Sequence, residues 1–372
     1  MKKINGYEVI QLFEEFSPKK YALDGDPIGL QIGTLNKPVE HVLIALDVSE
    51  EVVLEAIEKN VDLIIAHHPL IFRPLKKITT DQFAGRIVEM LIKHDIAVYA
   101  AHTNLDVANG GVNDMLANAL QLNNVSVLVP TYEEKLKKLV VYVPEANAKD
   151  ILQALGEAGA GAIGEYSHCS FTTNGVGRFL PGENTNPHIG KAGKLEEVSE
   201  VKIETIYPDH LERKVVAAIL KAHPYEEPAY DLYSLDMKGE ELGLGRIGEL
   251  EQEMTLEAFA LFAKEALDSG GVRVIGNLQD KVKKVAVLGG DGNKYYGHAK
   301  FKGADVYVTG DIYYHTAHDA LNAGLNMVDP GHHVEKIMKQ GVSAILQTKC
   351  GEKGYDVTIS PSAPNTDPFI YL

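Results

Sequence analysis

The sequence has 372 residues and a mass of 40.6 kDa, which is more than one compact core usually contains, so we expect two or more domains. Hydrophobic residues make up 45%, charged residues 24%, and the mean hydropathy is -0.10, which excludes disordered and membrane proteins. Acidic residues outnumber basic ones, 52 to 36, and the net charge of -16 argues against nucleic acid as a partner, because a phosphate backbone attracts clustered Lys and Arg.

The two cysteines, Cys169 and Cys350, are too few for a disulfide framework or a thiolate zinc site, and they indicate a reducing compartment. Residues 6–16 carry polar side chains where a signal peptide needs an apolar stretch. No apolar run reaches the ~18 residues of a membrane-spanning helix. We therefore predict a cytoplasmic protein that has no membrane partner.

The first part of the chain, residues 1–133, reads as alternating strands and helices. Apolar runs predict strands at 42–46, 61–66 and 96–101, with helices at 50–59 and 82–94 between them. Another helix is expected after Gly111. Short apolar strands joined by helices are typical of a mostly parallel sheet with both faces covered.

The middle part, residues 134–236, follows a different pattern. Strands are predicted at 139–143, 169–173, 201–206 and 229–235, with helices at 146–158 and 209–222. The order strand, helix, two strands, helix, strand is that of a ferredoxin-like α+β fold. We interpret this segment as a domain inserted into a discontinuous parent domain.

The last part, residues 237–372, returns to the first pattern. Strands are predicted at 285–288, 304–308 and 325–329, with a helix at 295–302. Residues 60–67 resemble 303–310, which favours an α/β fold of two similar halves that arose by a divergent internal duplication. Open α/β sheets bind ligands at the carboxyl ends of their strands, and polar residues follow the predicted strands in both halves.

Histidines and carboxylates are concentrated at these strand ends. Imidazole and carboxylate groups without a thiolate suit zinc, manganese, iron or cobalt. Five ligands exceed the need of one tetrahedral ion, so two divalent ions are expected, with a bridging carboxylate and an activated water that makes hydrolysis the default reaction. The candidate metal ligands are His67, His68, Asp106, His332 and Glu335.

Other polar residues near these ligands have more than one interpretation. His102 could orient a ligand or carry a proton. Asp311 and His315, which are further catalytic candidates, could serve the site or simply pair with each other at a helix start, because they stand four residues apart. His333 competes with His332 as a ligand, and Asp47 could orient a ligand or bind substrate.

With these residues in place, the chain resembles, over nearly its whole length, the family of GTP cyclohydrolase 1 type 2 homologues, also called NGG1-interacting-factor-like proteins. The resemblance implies a dinuclear metal site formed by the five candidate ligands, and ring-shaped homohexamers whose metal sites face the interior. Of the expected divalent ions we place zinc first. Several relatives have four residues from the last histidine to the glutamate, whereas this chain has three. The motifs that carry the resemblance are Ala66-His67-His68-Pro69, His102-Thr103-Asn104-Leu105-Asp106, Thr309-Gly310-Asp311 and Gly331-His332 with Glu335.

The middle segment resembles the PII/CutA-like domain of the longer bacterial members. The matching residues are 175–179, 186–190, Glu200 and 223–228. Domains of that kind often bind small effectors or build trimers. The glycines at 175 and 177 are also typical of a hairpin turn, and His223-Pro224 is typical of the end of a helix.

The leading functional hypothesis is a metal-dependent hydrolase that acts on GTP, another nucleotide or another phosphorylated small molecule. A phosphoesterase is the second enzymatic hypothesis, since two ions also stabilise phosphoryl displacement. The non-enzymatic alternative is a metal-loaded sensor or interaction protein whose insert binds an effector. Residues 289–292, Gly-Gly-Asp-Gly, could approach a phosphate or form a tight turn, and they lack the Lys and Ser/Thr of a P-loop.

Overall fold

The computed structural model describes residues 2–372, which divide into two compact units. Unit 1 comprises the chain up to Tyr132 together with Leu242–Leu372, and unit 2 comprises Glu133–Glu241. None of the helices within residues 2–372 combines the length and the apolar character needed to cross a membrane.

Both units are built from strands and helices that are numbered in chain order. The strands are β1 (Ile4–Asn5), β2 (Gly29–Ile32), β3 (Pro38–Val39), β4 (His41–Ala45), β5 (Leu63–Ala66), β6 (Ala97–Ala100), β7 (Asn123–Pro144), β8 (Phe171–Phe179), β9 (Glu196–Pro208), β10 (Tyr230–Thr255), β11 (Arg273–Ile275), β12 (Lys281–Asp291), β13 (Val306–Gly310), β14 (Asn326–Asp329) and β15 (Thr358–Pro361). The α-helices are α1 (Gly6–Glu14), α2 (Glu50–Glu58), α3 (Phe83–Lys93), α4 (Thr103–Val107), α5 (Val112–Ala119), α6 (Ala148–Glu157), α7 (Glu212–Ala222), α8 (Leu256–Ala266), α9 (Tyr296–Phe301), α10 (Tyr314–Asn322) and α11 (Ile337–Glu352).

Unit 1 contains two sets of parallel strands. In the first, β15, β4, β5 and β6 are parallel neighbours, and β2 is antiparallel at the far side of β6. In the second, β12, β13 and β14 are parallel, with β11 antiparallel beside β14 and β10 antiparallel beside β12. The central strands are short apolar runs because a parallel sheet buries both of its faces.

Alternate residues of each strand enter different cores. Val42 and Ile44 of β4 contact the large core that also holds Val285 of β12, whereas Leu43 packs on the opposite face with residues of α2 and α3. The large core also takes residues from α1, α5, α8 and α11, so these helices cover both sheets. The fold of unit 1 is therefore layered α/β, and its parallel strands end next to one another.

Local sequence sets the start of several helices. The Asn5 side chain accepts the Glu8 backbone N–H at 2.9 Å, and the Glu8 carboxylate accepts the Asn5 N–H at 2.9 Å, a complete capping box for α1. Ser49 caps α2 and Thr255 caps α8 in the simpler way, through the side-chain oxygen. Each such cap contributes about 1 kcal/mol to helix stability.

Unit 2 holds a sheet in which β10, β7, β9 and β8 are neighbours in that order. Val141 and Ile203 of this sheet pack with Ile151 of α6 and Val215 of α7, so both helices cover the same face. In chain order the elements are β7, α6, β8, β9, α7 and β10.

The expectation of a hairpin turn at residues 175–179 is wrong. These residues lie inside β8 and pair with β9, from Gly175 opposite Glu200 to Phe179 opposite Glu196. A Cβ on Gly177 would lie 2.0 Å from the Oε2 atom of Glu200. The glycine is therefore needed because a carboxylate of the neighbouring strand occupies the space of its side chain.

Candidate metal centre

Two adjacent histidines follow β5, where the strand ends. Their backbone N–H groups still donate to the carbonyls of Ala45 and Leu46, at 3.0 and 2.9 Å, so the segment keeps its place in the sheet. His67 is fully buried, and its Nδ1 lies 2.9 Å from the Ala101 carbonyl oxygen. The Nδ1 of His68 lies 2.7 Å from Oδ1 of Asp47, which follows the neighbouring strand β4. In both rings Nδ1 is engaged, which leaves Nε2 to point toward the site.

His102 and Asp106 come from the turn after β6 and from α4. The Nδ1 of His102 lies 2.9 Å from Oδ1 of Asp26, and Asp26 also accepts the backbone N–H of Thr103 at 2.9 Å. Asp106 is buried, and its Oδ1 lies 3.7 Å from Nε2 of His67. This corner therefore presents one carboxylate and one oriented imidazole to the same space.

His332 and Glu335 follow β14 through Gly331, whose φ of +86° is readily adopted by glycine. They lie in a 3₁₀ helix, His332–Lys336, in which residues three apart stand on one side. Accordingly the Nε2 of His332 lies 3.2 Å from Oε2 of Glu335. The Nδ1 of His332 lies 2.7 Å from Oδ2 of Asp311, at the end of β13.

His333 takes no part in this cluster. Its Nε2 lies 3.4 Å from the Thr366 hydroxyl and its Nδ1 lies 4.0 Å from Asp367. The geometry thus directs His332, and not His333, toward Glu335.

The donor atoms converge in three groups, and two of these share Glu335. The nitrogen and oxygen donors of His68, His332 and Glu335 lie within 4.8 Å of one another, and so do those of His67, Asp106 and Glu335. A third group of the same kind joins His102 to His67 and His68. Oε2 of Glu335 is 3.2 Å from the Nε2 of His68 and 3.7 Å from the Nε2 of His67, so one carboxylate faces both groups.

Buried polar atoms without partners show that the cluster fits cations. Within the described residues, Nε2 of His67 and Oδ1 of Asp106 are buried and make no hydrogen bond. Leaving such an atom unsatisfied costs about 1–3 kcal/mol, so a buried pair of this kind calls for a partner. Imidazole nitrogen and carboxylate oxygen are ligands that divalent transition metals accept.

The surroundings shift the titration of the cluster in the metal-free protein. Burial disfavours charged imidazoles, but hydrogen bonds to Asp47 and Glu335 outweigh it and raise the pKa of His68 to about 10. Burial is likewise outweighed at His332, where hydrogen bonding to Glu335 and Asp311 raises the pKa to about 9. Burial raises the pKa of Asp106 to about 6, whereas the nearby histidines hold the pKa of Glu335 well below its usual range despite burial.

The cluster lies at one side of a cavity of about 510 Å³. The backbone of Gly289 and Gly290 passes close to Glu335, and a Cβ on either residue would lie 2.8 or 2.9 Å from its Oε1 atom. Lys294, Tyr295 and Phe72 line other parts of the cavity. In this cavity, Lys294 could pair with an anionic group of a bound molecule, and the rings of Tyr295 and Phe72 could pack against a flat apolar part.

The structure brings together all five candidate ligands, and it places Asp47, His102 and Asp311 beside them. His315 is exposed on α10, and the contact that the structure gives its ring is with Tyr314, at 5.4 Å between centroids. The alternative in which Asp311 pairs with His315 is wrong. Asp311 has a φ of +54° and precedes α10, so its carboxylate turns to His332 instead.

Asp26 and Thr366 also contact residues of the site, and no pattern in the sequence predicts these contacts. Asp26 lies in a Gly-Asp-Pro segment that reads as an ordinary turn, yet it orients His102. Thr366, 319 residues after Asp47, donates its hydroxyl to that carboxylate. Both contacts depend on tertiary structure that local patterns do not encode.

Comparison with known proteins places the chain in a known family. The model of Duf34/NIF3 (NGG1p interacting factor 3) matches residues 4–368. The GTP cyclohydrolase 1 type 2 homolog of Bacillus subtilis (strain 168) is 60% identical over 371 residues, which cover 100% of both chains. The homolog of Staphylococcus aureus (strain MSSA476) is 39% identical over 366 residues, which cover 98% of this chain and 99% of the relative.

Solved structures agree with the sequence matches. The crystal structure of a Bacillus cereus protein related to NIF3 has a TM-score of 0.96 and 62% identity, with 100% of both chains covered. A Staphylococcus aureus protein has a TM-score of 0.78 and 35% identity, again with 100% of both chains covered. The chain therefore belongs to the Duf34/NIF3 (NGG1p interacting factor 3) family, as its motifs lead one to expect.

Proposed function

We propose that this protein is a dinuclear metal-dependent hydrolase that acts on a nucleotide or another phosphorylated small molecule. The observation that carries the proposal is the shared carboxylate of Glu335, which belongs to two ligand groups at once. Two divalent ions, zinc first among zinc, manganese, iron and cobalt, would supply Lewis acidity and an activated water when bound.

The side chains of the cluster have separate tasks in this proposal. His67 and Asp106 would hold one ion, His68 and His332 the other, and Glu335 both. Asp47 and Asp311 keep the Nε2 atoms of His68 and His332 turned inward by accepting the Nδ1–H groups. His102, held at Nδ1 by Asp26, offers Nε2 as the place where a proton can be taken up or released.

The cavity supports a phosphorylated substrate with a flat apolar part. The Lys294 ammonium group would meet a phosphate, and the rings of Tyr295 and Phe72 would pack against a base. The name of the Bacillus subtilis relative, GTP cyclohydrolase 1 type 2 homolog, supports GTP as the first nucleotide to test. Hydrolytic opening of the purine imidazole ring and phosphoester hydrolysis differ in product, so product analysis separates them.

The first experiment is metal analysis by plasma mass spectrometry on protein purified without chelator or affinity nickel. We expect about two ions per chain. His68→Ala and Asp106→Ala should each remove at least one of them, while His315→Ala, a histidine outside the cluster, should keep both. Fewer than one ion per chain, unchanged by the first two variants, would show that the ligand set is wrong.

The second experiment is a nucleotide screen on the loaded protein. Chromatography would detect a ring-opened or formylated product from GTP, and a phosphate assay would detect phosphoester cleavage. Loss of either activity in Asp106→Ala, together with its retention in His315→Ala, would support the proposal. Full activity in Asp106→Ala with full metal content would contradict it.

We also infer that unit 2 is an inserted ferredoxin-like domain of the PII/CutA-like kind, within a parent domain of two duplicated halves. Support comes from the sheet order β10, β7, β9, β8, with both helices on one face, and from the repeated arrangement of parallel strands in unit 1. Replacing residues 134–236 by a Gly-Ser linker should leave the metal content unchanged. Loss of both ions in that variant would count against an independent insert.

The family resemblance further supports a ring-shaped homohexamer. Light scattering coupled to size-exclusion chromatography should then give six times the chain mass of 40.6 kDa. A monomer at micromolar concentration would contradict it.

A further inference from the structure

Unit 2 contains a cavity of about 490 Å³ that the proposed hydrolysis does not use. It lies on the face of the sheet opposite to α6 and α7. Val201 and Ile203 of β9 point to the helices, so Glu200, one residue away, points to the other face, where it lines the cavity. Residues 180–189, after β8, and 225–229, after α7, contribute much of the wall.

The floor of this cavity is built around the Glu200 carboxylate. Its Oε2 atom occupies the space where a Cβ of Gly177 would lie, at 2.0 Å, and its Oε1 atom accepts the Tyr225 hydroxyl at 3.0 Å. A Cβ on Gly175, which pairs with Glu200, would meet nothing within 4 Å, so the space beside the carboxylate is open. Gly177 therefore allows the carboxylate to lie flat against the sheet.

Aromatic rings gather around Tyr225, whose hydroxyl meets the same carboxylate. The ring centroid of Tyr225 lies 5.7 Å from that of Phe179, 5.1 Å from that of His223 and 6.3 Å from that of His188. His223 is buried and fixed, because its Nε2 bonds to the Tyr142 carbonyl at 2.9 Å and its Nδ1 accepts the Tyr225 backbone N–H at 3.1 Å. Tyr225 is thus held with its ring in the wall of the cavity and its hydroxyl on Glu200.

The charge of the cavity is acidic. Glu226 and Glu227 line it together with Glu200. Within the described residues, Arg178 is the one Lys or Arg side chain in the lining, and its Nε donates to Glu197 at 2.8 Å. An anion would face three carboxylates here, whereas a cation would find carboxylates and the faces of aromatic rings.

We propose that this cavity binds a small organic cation, with an apolar body against Tyr225 and Phe179 and an ammonium or guanidinium group against Glu200. Carboxylate pairing fixes the charged end, and the aromatic rings add a cation–π contribution. The site is separate from the candidate metal centre and does not depend on the hydrolase proposal.

The test uses two probes of the same shape and opposite charge. Phenethylamine and phenylacetate are titrated into the full chain, with saturation-transfer NMR and calorimetry as readouts. Phenethylamine should bind saturably and phenylacetate at least about tenfold more weakly, which corresponds to one lost charge pair. No saturation by phenethylamine up to about 10 mM, or equal binding of both probes, would overturn the proposal.

Variants locate the binding. Glu200→Gln keeps the shape and an acceptor for Tyr225 and should weaken phenethylamine binding about tenfold. Phe179→Ala, which removes one of the two rings proposed to hold the apolar body, should also weaken binding without touching the carboxylates. Glu204→Gln is the matched control on β9, since Glu204 pairs with Lys138 outside the cavity and should leave binding unchanged. Unchanged binding in both Glu200→Gln and Phe179→Ala would overturn the proposal, whereas its persistence in Asp106→Ala is expected.

Discussion

The two sets of parallel strands in unit 1 share a layout but contribute differently to the candidate metal centre. In each, a histidine after one strand is held at Nδ1 by an aspartate after the neighbouring strand. The pairs are His68 with Asp47 and His332 with Asp311, both at 2.7 Å. In the first set the pair spans β4 and β5, and in the second it spans β13 and β14, one strand further along.

This shift by one strand decides which residues can be ligands. The end of β5 carries two histidines, whereas the end of β13 carries Asp311, which only orients His332. The carboxylate shared by both ligand groups comes from the second set alone, as Glu335. Two similar frameworks can therefore build one asymmetric site, because each strand end is free to supply a ligand, an orienting group or neither.

Glu335→Gln should have the largest effect, since it removes the one contribution that both ligand groups share. We expect the metal content to fall from about two ions per chain to near zero, because a neutral amide does not bridge cations. Plasma mass spectrometry measures this, and Glu352→Gln, an exposed residue at the end of α11, is the control. Retention of one full ion in Glu335→Gln would mean that the carboxylate is not shared.

The orienting aspartates should come next. Asp47→Asn and Asp311→Asn should each weaken metal binding about 10–100-fold, the usual cost of losing such a group. Chelator competition measures the affinity, and Asp319→Asn on α10 serves as the control. If both variants lose similar affinity, the Asp47–His68 and Asp311–His332 pairs contribute equally to metal binding. If only one variant loses affinity, the two pairs are alike in geometry but not in function.

A smaller effect is expected where the backbone passes Glu335. Gly289→Ala would place a Cβ 2.8 Å from Oε1 of Glu335 and force the carboxylate to move. Metal affinity should drop by about tenfold, or about 1.4 kcal/mol. Gly297→Ala is the matched control, because a Cβ there meets nothing within 4 Å. Equal affinity in both variants would show that Glu335 tolerates displacement.

The pH dependence of metal affinity should report the protons that His68 and His332 lose when a metal binds. The pKa values of His68 and His332 are raised to about 10 and about 9, so the metal-free protein keeps both protons at pH 7. Metal binding must release them, and affinity should rise by about tenfold per pH unit for each proton displaced, up to these values. Calorimetry in buffers of different ionisation enthalpy counts the protons. Binding without proton release at pH 7 would contradict this.

The same shifts predict the stability of the metal-free protein. A raised histidine pKa stabilises the folded state fully below the ordinary value of 6.5, and that stability is lost as the pH rises through about 9 and 10. The thermal midpoint of metal-free protein should therefore fall between pH 8 and pH 10. A His68→Gln, His332→Gln double variant should lose most of that dependence.

Much of the α/β framework could be predicted because buried parallel strands are short apolar runs. The run 42–46 corresponds to β4, His41–Ala45, and the run 304–308 overlaps β13, Val306–Gly310. The pairing of β15 with β4 and the antiparallel strand β2 could not be predicted, since strand pairing over such sequence distances leaves no local pattern.

The candidate site could be predicted in part for the same reason. Strand ends of a parallel sheet converge, and the structure does bring together His67, Asp106 and Glu335. The sequence could not separate His332 from His333, because that choice depends on the 3₁₀ geometry after Gly331. Asp26 could not be recognised from the sequence because its role depends on the fold of a distant loop.

The shared carboxylate also sets an order of events during synthesis. His68 and Glu335 are 267 residues apart in the chain, and Asp47 meets Thr366 across 319 residues. A ribosome adds about 5–20 residues per second, so the first histidines wait on the order of tens of seconds for their carboxylate. A nascent chain presents imidazoles without the group that would bridge two ions. In the proposed dinuclear site, both ions can therefore be held only after translation has delivered Glu335.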